Sequence, residues 1–134
     1  EYTSSTIPPF QHESYGDNLQ RCQRYFQMFG GSFYGAYSIM YVGSVYTTSS
    51  AYIPHPMPTI MRSKPSFVMG GALSNFTWQD GNSTQNPTGI AAEQMHENMF
   101  LLLISDSGDD FTDGQAIRCY NNSTAGYFEI SAEL

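Results

Sequence analysis

The C-terminal residues of the chain alternate between apolar and polar side chains with a period of two. In residues 127–134, every second side chain is apolar and would share one face of an extended strand. A helix cannot place such residues on one side, so the pattern excludes a helix here. It predicts a half-buried strand, and the residues expected inside are Phe128, Ile130, Ala132 and Leu134.

A second alternating segment precedes this strand. Residues 115–120 place Ile117 and Cys119 on one face and Arg118 and Tyr120 on the other. The polar, glycine-containing residues 121–126 between the two segments are typical of a turn. The pattern predicts a β-hairpin made of the last two strands.

The composition favours strands over helices in the rest of the chain. Aromatic residues make up 15% of the sequence and charged residues only 13%. Further strands are predicted over residues 25–29, 33–46, 51–53, 66–69, 73–78 and 96–104. Short strands at this spacing, without a repeat, predict an all-β antiparallel β-sandwich of the jelly-roll type.

Two of these segments have unusual features. The stretch 33–46 has no charge, which predicts one long strand that is buried on both faces or bent at a glycine. Pro54, Pro56 and Pro58 follow the next strand, and a proline cannot donate a hydrogen bond to a neighbour. Residues 54–58 are therefore predicted to be irregular or to lie at a sheet edge.

The N-terminal region is expected to be separate from the sandwich. Residues 1–17 are rich in Ser, Thr, Pro and Gly, which predicts an extended arm or linker. Asp17 is the predicted N-cap of one short helix over residues 18–24, and residues 18–134 form the predicted jelly-roll domain. Because the sequence begins with Glu1, we expect it to be part of a longer protein.

Charge and cysteine content exclude several classes. The formal net charge of −7 argues against binding to nucleic acid, which requires Lys and Arg. No apolar run approaches the roughly 20 residues of a membrane helix. Cys22 and Cys119 could form one disulfide, but two buried thiols are the preferred interpretation.

Three segments resemble a family of virion proteins. Residues 10–26, which contain Cys22-Gln23-Arg24-Tyr25, residues 58–66, which contain Met61-Arg62, and the terminal Ser131-Ala132-Glu133-Leu134 are similar to segments of the C-terminal jelly-roll domains of marine bacteriophage tail-fibre and related structural proteins. That family usually has a Trp where this chain has Tyr127 and Phe128. The resemblance implies a virion part, often trimeric and at the host-facing end, with no catalytic residues.

We therefore expect a non-enzymatic structural module of a bacteriophage virion. The leading hypothesis is a tail-fibre domain that recognises a glycan on the host surface, assembles as a homotrimer and contacts other virion proteins. The alternative is a capsid decoration or head-fibre protein that stabilises the shell, and a polysaccharide depolymerase ranks third. The sequence contains no order of residues typical of a Ser-His-Asp triad, a phosphate loop or a Cys-His pair, and no cofactor is expected.

The excess of aromatic residues indicates candidate binding residues. An exposed tyrosine offers an apolar ring face and a polar tip, which suits sugar stacking or a protein interface. Packing between strands remains the alternative for each ring. The candidate glycan-binding residues are Tyr34, Tyr46, Tyr52, Tyr120 and Tyr127. The candidate subunit-interface residues are Ile7, Phe10, Tyr37, Tyr41, Arg62 and Lys64.

One acidic loop is a candidate calcium site. Carboxylate oxygens are the ligands that Ca²⁺ prefers, although the loop lacks the ligand order of an EF-hand. A solvated turn is the alternative. The candidate ligands are Asp106, Asp109, Asp110 and Asp113. The three histidines have no spacing typical of a zinc site.

Overall fold

The computed structural model describes residues 13–32, 34–38 and 40–132. The predicted arm falls largely outside these residues, as do the interface candidates Ile7 and Phe10. The described residues form one α-helix, a 3₁₀ turn at Leu73–Asn75, and a set of short strands. The helix and strands are α1 (Tyr15–Gln23), β1 (Phe26–Gly30), β2 (Met40–Thr47), β3 (Ser50–Pro56), β4 (Ser66–Gly70), β5 (Phe76–Gln79), β6 (Thr84–Gln85), β7 (Gly89–Glu93), β8 (Met99–Ser105), β9 (Ala116–Asn121) and β10 (Tyr127–Ser131).

The strands form two antiparallel sheets that face each other. The smaller sheet has the order β1-β10-β4, and the larger has the order β6-β5-β9-β2-β3-β8-β7. Pairing is nested along the chain, because β1 pairs with β10, β2 with β9 and β3 with β8. This nesting is the pairing scheme of a jelly roll. The predicted all-β sandwich with one short N-terminal helix is confirmed.

The core lies between the two sheets and consists largely of aromatic and branched side chains. Phe128 of β10 stacks on Phe76 of β5 with ring centroids 5.0 Å apart and planes 1° from parallel. Phe67 of β4 contacts both Phe128 and Phe100 of β8. The largest fully buried side chains are Trp78, Phe76, Phe100, Phe128, Ile53, Leu102, Ile104, Ile117, Ile130, Asn121 and Cys119. Within the described residues, no helix is long and apolar enough to cross a membrane.

The helix begins earlier than predicted. Ser14, not Asp17, is the N-cap of α1, and its hydroxyl accepts a hydrogen bond from the Asp17 amide at 3.2 Å. Asp17 lies in the first turn, where a carboxylate interacts favourably with the helix dipole. The prediction was wrong because both residues favour the cap position. The expected boundary after residue 17 therefore falls inside α1.

The uncharged stretch 33–46 is not one strand. Residues 34–38 form turns, and β2 begins only at Met40. Gly35 and Tyr37 both have positive φ angles, 82° and 61°, which no strand accommodates. Phe33 and Ile39 lie outside the described residues.

The last two strands do not form a hairpin. Their faces are as predicted, since Ile117 and Cys119 are buried on β9, as are Phe128 and Ile130 on β10. However, β9 belongs to the larger sheet and β10 to the smaller one, so residues 122–126 cross between the sheets. The alternation determines which face is buried but not which strand is the partner.

The proline-containing segment is part of β3, which runs through Pro56. Pro54 and Pro56 lie opposite Leu101 and Met99 of β8. The pairing of β2 with β3 covers only the first residues of β3, up to Tyr52. The prolines therefore lie where β3 pairs with β8 and no longer with β2. On the open side a proline needs no amide hydrogen, and this was the reason for predicting an edge. Strands β6 and β7 were not predicted.

Both cysteines are free, so they form no disulfide. Cys119 is buried, as predicted, and burial raises the pKa of its thiol to about 12. Cys22 is exposed on α1, which contradicts the preferred interpretation of two buried thiols. No residue of α1 is buried, so the apolar residues near Cys22 in the sequence did not indicate that its thiol is buried.

Candidate functional site

The outer face of the larger sheet is unusually rich in exposed apolar and aromatic side chains. On β2 the outward residues Val42 and Tyr46 are 64% and 68% exposed, whereas Val45 between them is buried. On β9 the outward residues are Arg118 and Tyr120. We call this surface the tyrosine face, and its central residues are Tyr37, Val42, Tyr46, Tyr52, Gln79, Arg118 and Tyr120.

One end of the tyrosine face is a pair of tyrosines. The rings of Tyr37 and Tyr120 lie 5.5 Å apart with an angle of 32° between their planes. Tyr37 has a φ angle of 61°, which is strained for a bulky residue. Its amide donates a hydrogen bond of 2.7 Å to the Asn121 carbonyl. Backbone strain of this kind is often found at binding sites, where the surrounding structure maintains it.

Asn121 holds the turn that presents Tyr37. Its side chain is fully buried, and Nδ2 lies 3.0 Å from the Gly35 carbonyl and 3.2 Å from the Ser123 carbonyl, to which it donates. Gly35 reaches the positive φ angle that the turn requires without a steric cost. The buried amide thus ties the turn 34–38 to the end of β9.

Arg118 is the cation of the tyrosine face. Its Nε donates a 2.8 Å hydrogen bond to the Gln79 side-chain oxygen, and its Cζ lies 5.7 Å from the centre of the Tyr120 ring. No described carboxylate lies within ion-pair distance of this guanidinium. The side chain is therefore held in position by neutral groups and keeps its charge available for a ligand.

A shallow depression lies beside Arg118. It has a volume of about 330 Å³ and is lined by Val42, Gln79, Asp80, Ala116, Ile117 and Arg118. The second tyrosine pair, Tyr46 and Tyr52, lies farther along the sheet with ring centroids 5.8 Å apart. Tyr120 lies opposite Met40 of β2 and Tyr52 opposite Ser44, so the two pairs are roughly 15 Å apart.

Three of the five predicted glycan-binding tyrosines lie on this face, namely Tyr46, Tyr52 and Tyr120. The other two do not. Tyr127 is on the outer face of the smaller sheet, where its ring covers Gly70. Tyr34 is exposed beside a groove along β1. The structure therefore divides these tyrosines among three surfaces.

The predicted interface residues do not form one surface. Tyr37 belongs to the tyrosine face, whereas the Tyr41 hydroxyl lies 3.3 Å from His55 Nε2 at the edge of the core, where burial raises the pKa of its phenol. Arg62 lies over the Tyr25 ring at 5.6 Å. Lys64 is exposed in the loop before β4.

The four aspartates of the acidic loop are not arranged as metal ligands. Asp106 is buried and accepts from the Gly108 amide at 2.9 Å, while Asp110 accepts from Gln85 at 2.8 Å. Asp109 and Asp113 are exposed. Within the described residues, no group of three or more His, Cys, Asp or Glu side chains could hold a metal ion. The geometry does not support the calcium prediction.

The carboxylate that organises this loop is Asp80, which the sequence did not indicate. Its Oδ1 accepts from the amides of Asn82 and Ser83 at 2.8 and 2.7 Å, and its Oδ2 from the Thr112 amide at 2.9 Å. Asp80 is only 7% exposed. Burial raises the pKa of this carboxyl, but the hydrogen bonds outweigh burial and hold the pKa below its usual 3.8.

Replacing Asp80 with alanine should destabilise the protein by about 2 kcal/mol at pH 7, because three amides lose their acceptor. The stabilisation from the depressed pKa is present above 3.8 and is lost as the pH falls through the lower folded value. In denaturant unfolding, the difference between the native chain and Asp80→Ala should therefore narrow as the pH falls below 3.8. The control Asp113→Ala, in the exposed loop, should have no effect; an equal loss in both variants would contradict the role of Asp80.

Sequence reasoning missed Gln79 and Arg118 as members of the site. The outward position of Arg118 follows from the alternation in β9, but its contact with Gln79 depends on the pairing of β9 with β5, which no local pattern shows. Comparison with protein-family models, curated proteins and solved structures gave no match. The function therefore has to be inferred from the tyrosine face itself.

Proposed function

We propose that the chain is a non-enzymatic structural module of a bacteriophage virion, a tail-fibre domain that binds a glycan on the host surface and assembles as a homotrimer. The observation that best supports the glycan is the tyrosine face. It combines exposed ring faces with an amide and a guanidinium at the rim of one depression. The sequence resemblance to tail-fibre domains supports the virion location.

The chemistry of the face suits a carbohydrate. Sugar rings have apolar faces that stack on tyrosine, and their hydroxyls accept and donate hydrogen bonds. Gln79 and Arg118 are rigidified by their mutual hydrogen bonds, so little side-chain entropy is lost on binding. The separation of the two tyrosine pairs favours an oligosaccharide over a single sugar. The guanidinium further favours a sugar that carries a carboxylate.

Tyr120→Ala should weaken binding to a bacterial surface polysaccharide by about tenfold, because one ring contact of roughly 1 kcal/mol or more is lost. The probe is a panel of purified bacterial surface polysaccharides, with and without uronic acids, in affinity gel electrophoresis. Arg118→Gln should weaken binding chiefly to the acidic polymers. The matched control is Tyr15→Ala, which removes an exposed tyrosine that lies on α1 and is not part of the tyrosine face.

Retardation by no polysaccharide, or equal retardation of the native chain, Tyr120→Ala and Tyr15→Ala, would reject the glycan assignment. A fall in polymer size during incubation would instead indicate a depolymerase. Locating the chain in a virion reconstruction separates the remaining alternatives, since density on the capsid lattice would favour the decoration protein over the tail fibre.

A further inference from the structure

Strand β1 forms a free edge of the smaller sheet. Among the described strands it pairs only with β10, and the hydrogen bonds at its two ends fix which backbone groups are used. The Tyr25 carbonyl accepts from the Ala132 amide at 2.8 Å, and the Gly31 amide donates to the Gly126 carbonyl at 3.0 Å. In an antiparallel pair the hydrogen-bonded residues alternate, so the odd-numbered residues of β1 bond to β10.

The even-numbered residues of β1 therefore present unused backbone groups. The amides and carbonyls of Phe26, Met28 and Gly30 point away from β10, and no hydrogen bond to another described residue uses them. An edge of this kind is a template for pairing with another extended segment. The Phe26 side chain is also half exposed, as expected for a strand that lacks a neighbour.

A groove of about 420 Å³ runs along this edge. All five residues of β1 line it. Leu19 and Gln23 of α1 form part of its wall, as do Tyr34, Tyr41 and Pro58. None of the described residues that line the groove is charged. The groove thus suits an uncharged peptide in an extended conformation, which would satisfy the backbone of β1 and cover its apolar walls.

We propose that this groove binds the N-terminal arm, residues 1–12, of a neighbouring copy as an additional strand. Residues 2–7 of the arm are uncharged and rich in Thr, Ser, Tyr and Ile. Pro8 and Pro9 follow and would end the pairing, because proline has no amide hydrogen. Six extended residues span about 20 Å, which is sufficient to cover the five residues of β1.

The position of Glu13 favours the arm of a neighbouring copy over the arm of the same chain. Glu13, the last residue before the N-cap, forms an ion pair of 2.5 Å with Arg21. Successive helix residues are about 100° apart, so Arg21 lies about 160° around α1 from Leu19, which lines the groove. Glu13 is therefore held on the side of α1 away from the groove, which favours the groove of a neighbouring copy as the binding site of the arm.

This inference rests on the proposed self-association and adds the segments that join the copies. Two variants, Ser5→Cys and Met28→Cys, are made in the full chain with Cys22→Ser, and they are mixed and oxidised. A disulfide-linked product of twice 15.0 kDa should form in the mixture. Val68→Cys, on the exposed face of β4, is the matched control for Met28→Cys and should not cross-link with Ser5→Cys.

A second variant tests the role of the backbone. Met28→Pro removes an outward amide but no hydrogen bond to β10, so light scattering should show a mass of 15.0 kDa while the near-UV circular dichroism is retained. If this variant does not fold, the cross-linking alone decides. Equal cross-linking of Val68→Cys and Met28→Cys with Ser5→Cys would overturn the proposal. If the native chain is oligomeric but Ser5→Cys and Met28→Cys form no disulfide, the groove is not the binding site of the arm, while the proposed trimer is unaffected.

Discussion

Gly43→Ala should reduce the free energy of unfolding by about 3 kcal/mol or more. A Cβ atom at this position would lie 2.1 Å from the Tyr52 carbonyl oxygen and 2.7 Å from the Ile53 Cα. Both are backbone atoms of β3, which cannot rotate away as a side chain can. Adding one methyl group therefore requires β2 and β3 to separate in the centre of the larger sheet, and denaturant unfolding should show a lower midpoint.

Gly89→Ala is the matched control for this prediction. Gly89 also lies in a strand of the larger sheet, but a Cβ there would meet the Ser105 side chain, with Cβ at 3.4 Å and Oγ at 3.6 Å, which are ordinary contacts. This variant should be as stable as the native chain, or more stable by up to about 1 kcal/mol, because alanine reduces the entropy of the unfolded state. If the two variants had equal midpoints, the close approach of β2 to β3 would be wrong.

The comparison of Gly43 with Gly89 also shows what the sequence could not reveal. Both glycines occur in segments with strand composition, and nothing in the neighbouring residues indicates that only Gly43 faces another backbone. Local patterns predicted the faces of β9 and β10 correctly, because a period of two determines which side is buried. The partners of these strands depend on contacts between distant residues, and the predicted hairpin was therefore wrong.

The candidate site, like the pairing of the strands, was predictable only in part. Exposed tyrosines were expected, and the alternation in β9 places Tyr120 outward. Tyr46 was a candidate, but its outward position did not follow from the stretch 33–46, which was predicted to be buried on both faces or bent at a glycine. The position of Tyr37 was not predictable, since its positive φ angle depends on the buried Asn121 holding the turn. Tyr41 was assigned to an interface because it lies among aromatic residues in the sequence. Its contact with His55, fourteen positions away, could not be seen from those neighbouring residues.

His55 should make the stability of the protein decrease as the pH is lowered from 7 to 5. Its side chain is 3% exposed and lies among the rings of Phe29, Tyr41 and Phe100, whose centroids are 4.2 to 4.7 Å from the imidazole. Among the described residues, Nδ1 has no hydrogen-bond partner, and Nε2 lies 3.3 Å from the Tyr41 hydroxyl. Burial among neutral groups lowers the pKa of His55 from 6.5 to about 4.

The direction of the pH effect follows from the two pKa values. Between 6.5 and about 4, the unfolded chain binds a proton at His55 that the folded protein excludes, so protonation favours unfolding. The loss should reach about 2 kcal/mol at pH 5, where most carboxylates are still ionised. Chemical unfolding at pH 7, 6 and 5 measures it directly.

His55→Leu should abolish this pH dependence, because the replacement keeps an apolar side chain of similar size in the ring cluster but has no group to protonate. Its unfolding free energy should be nearly the same at pH 7 and pH 5, whatever its absolute value. His96→Gln is the matched control, since His96 is exposed in the turn before β8 and its removal should leave the native pH dependence intact. If His55→Leu lost as much stability between pH 7 and pH 5 as the native chain, the burial of a neutral imidazole in the ring cluster would be refuted.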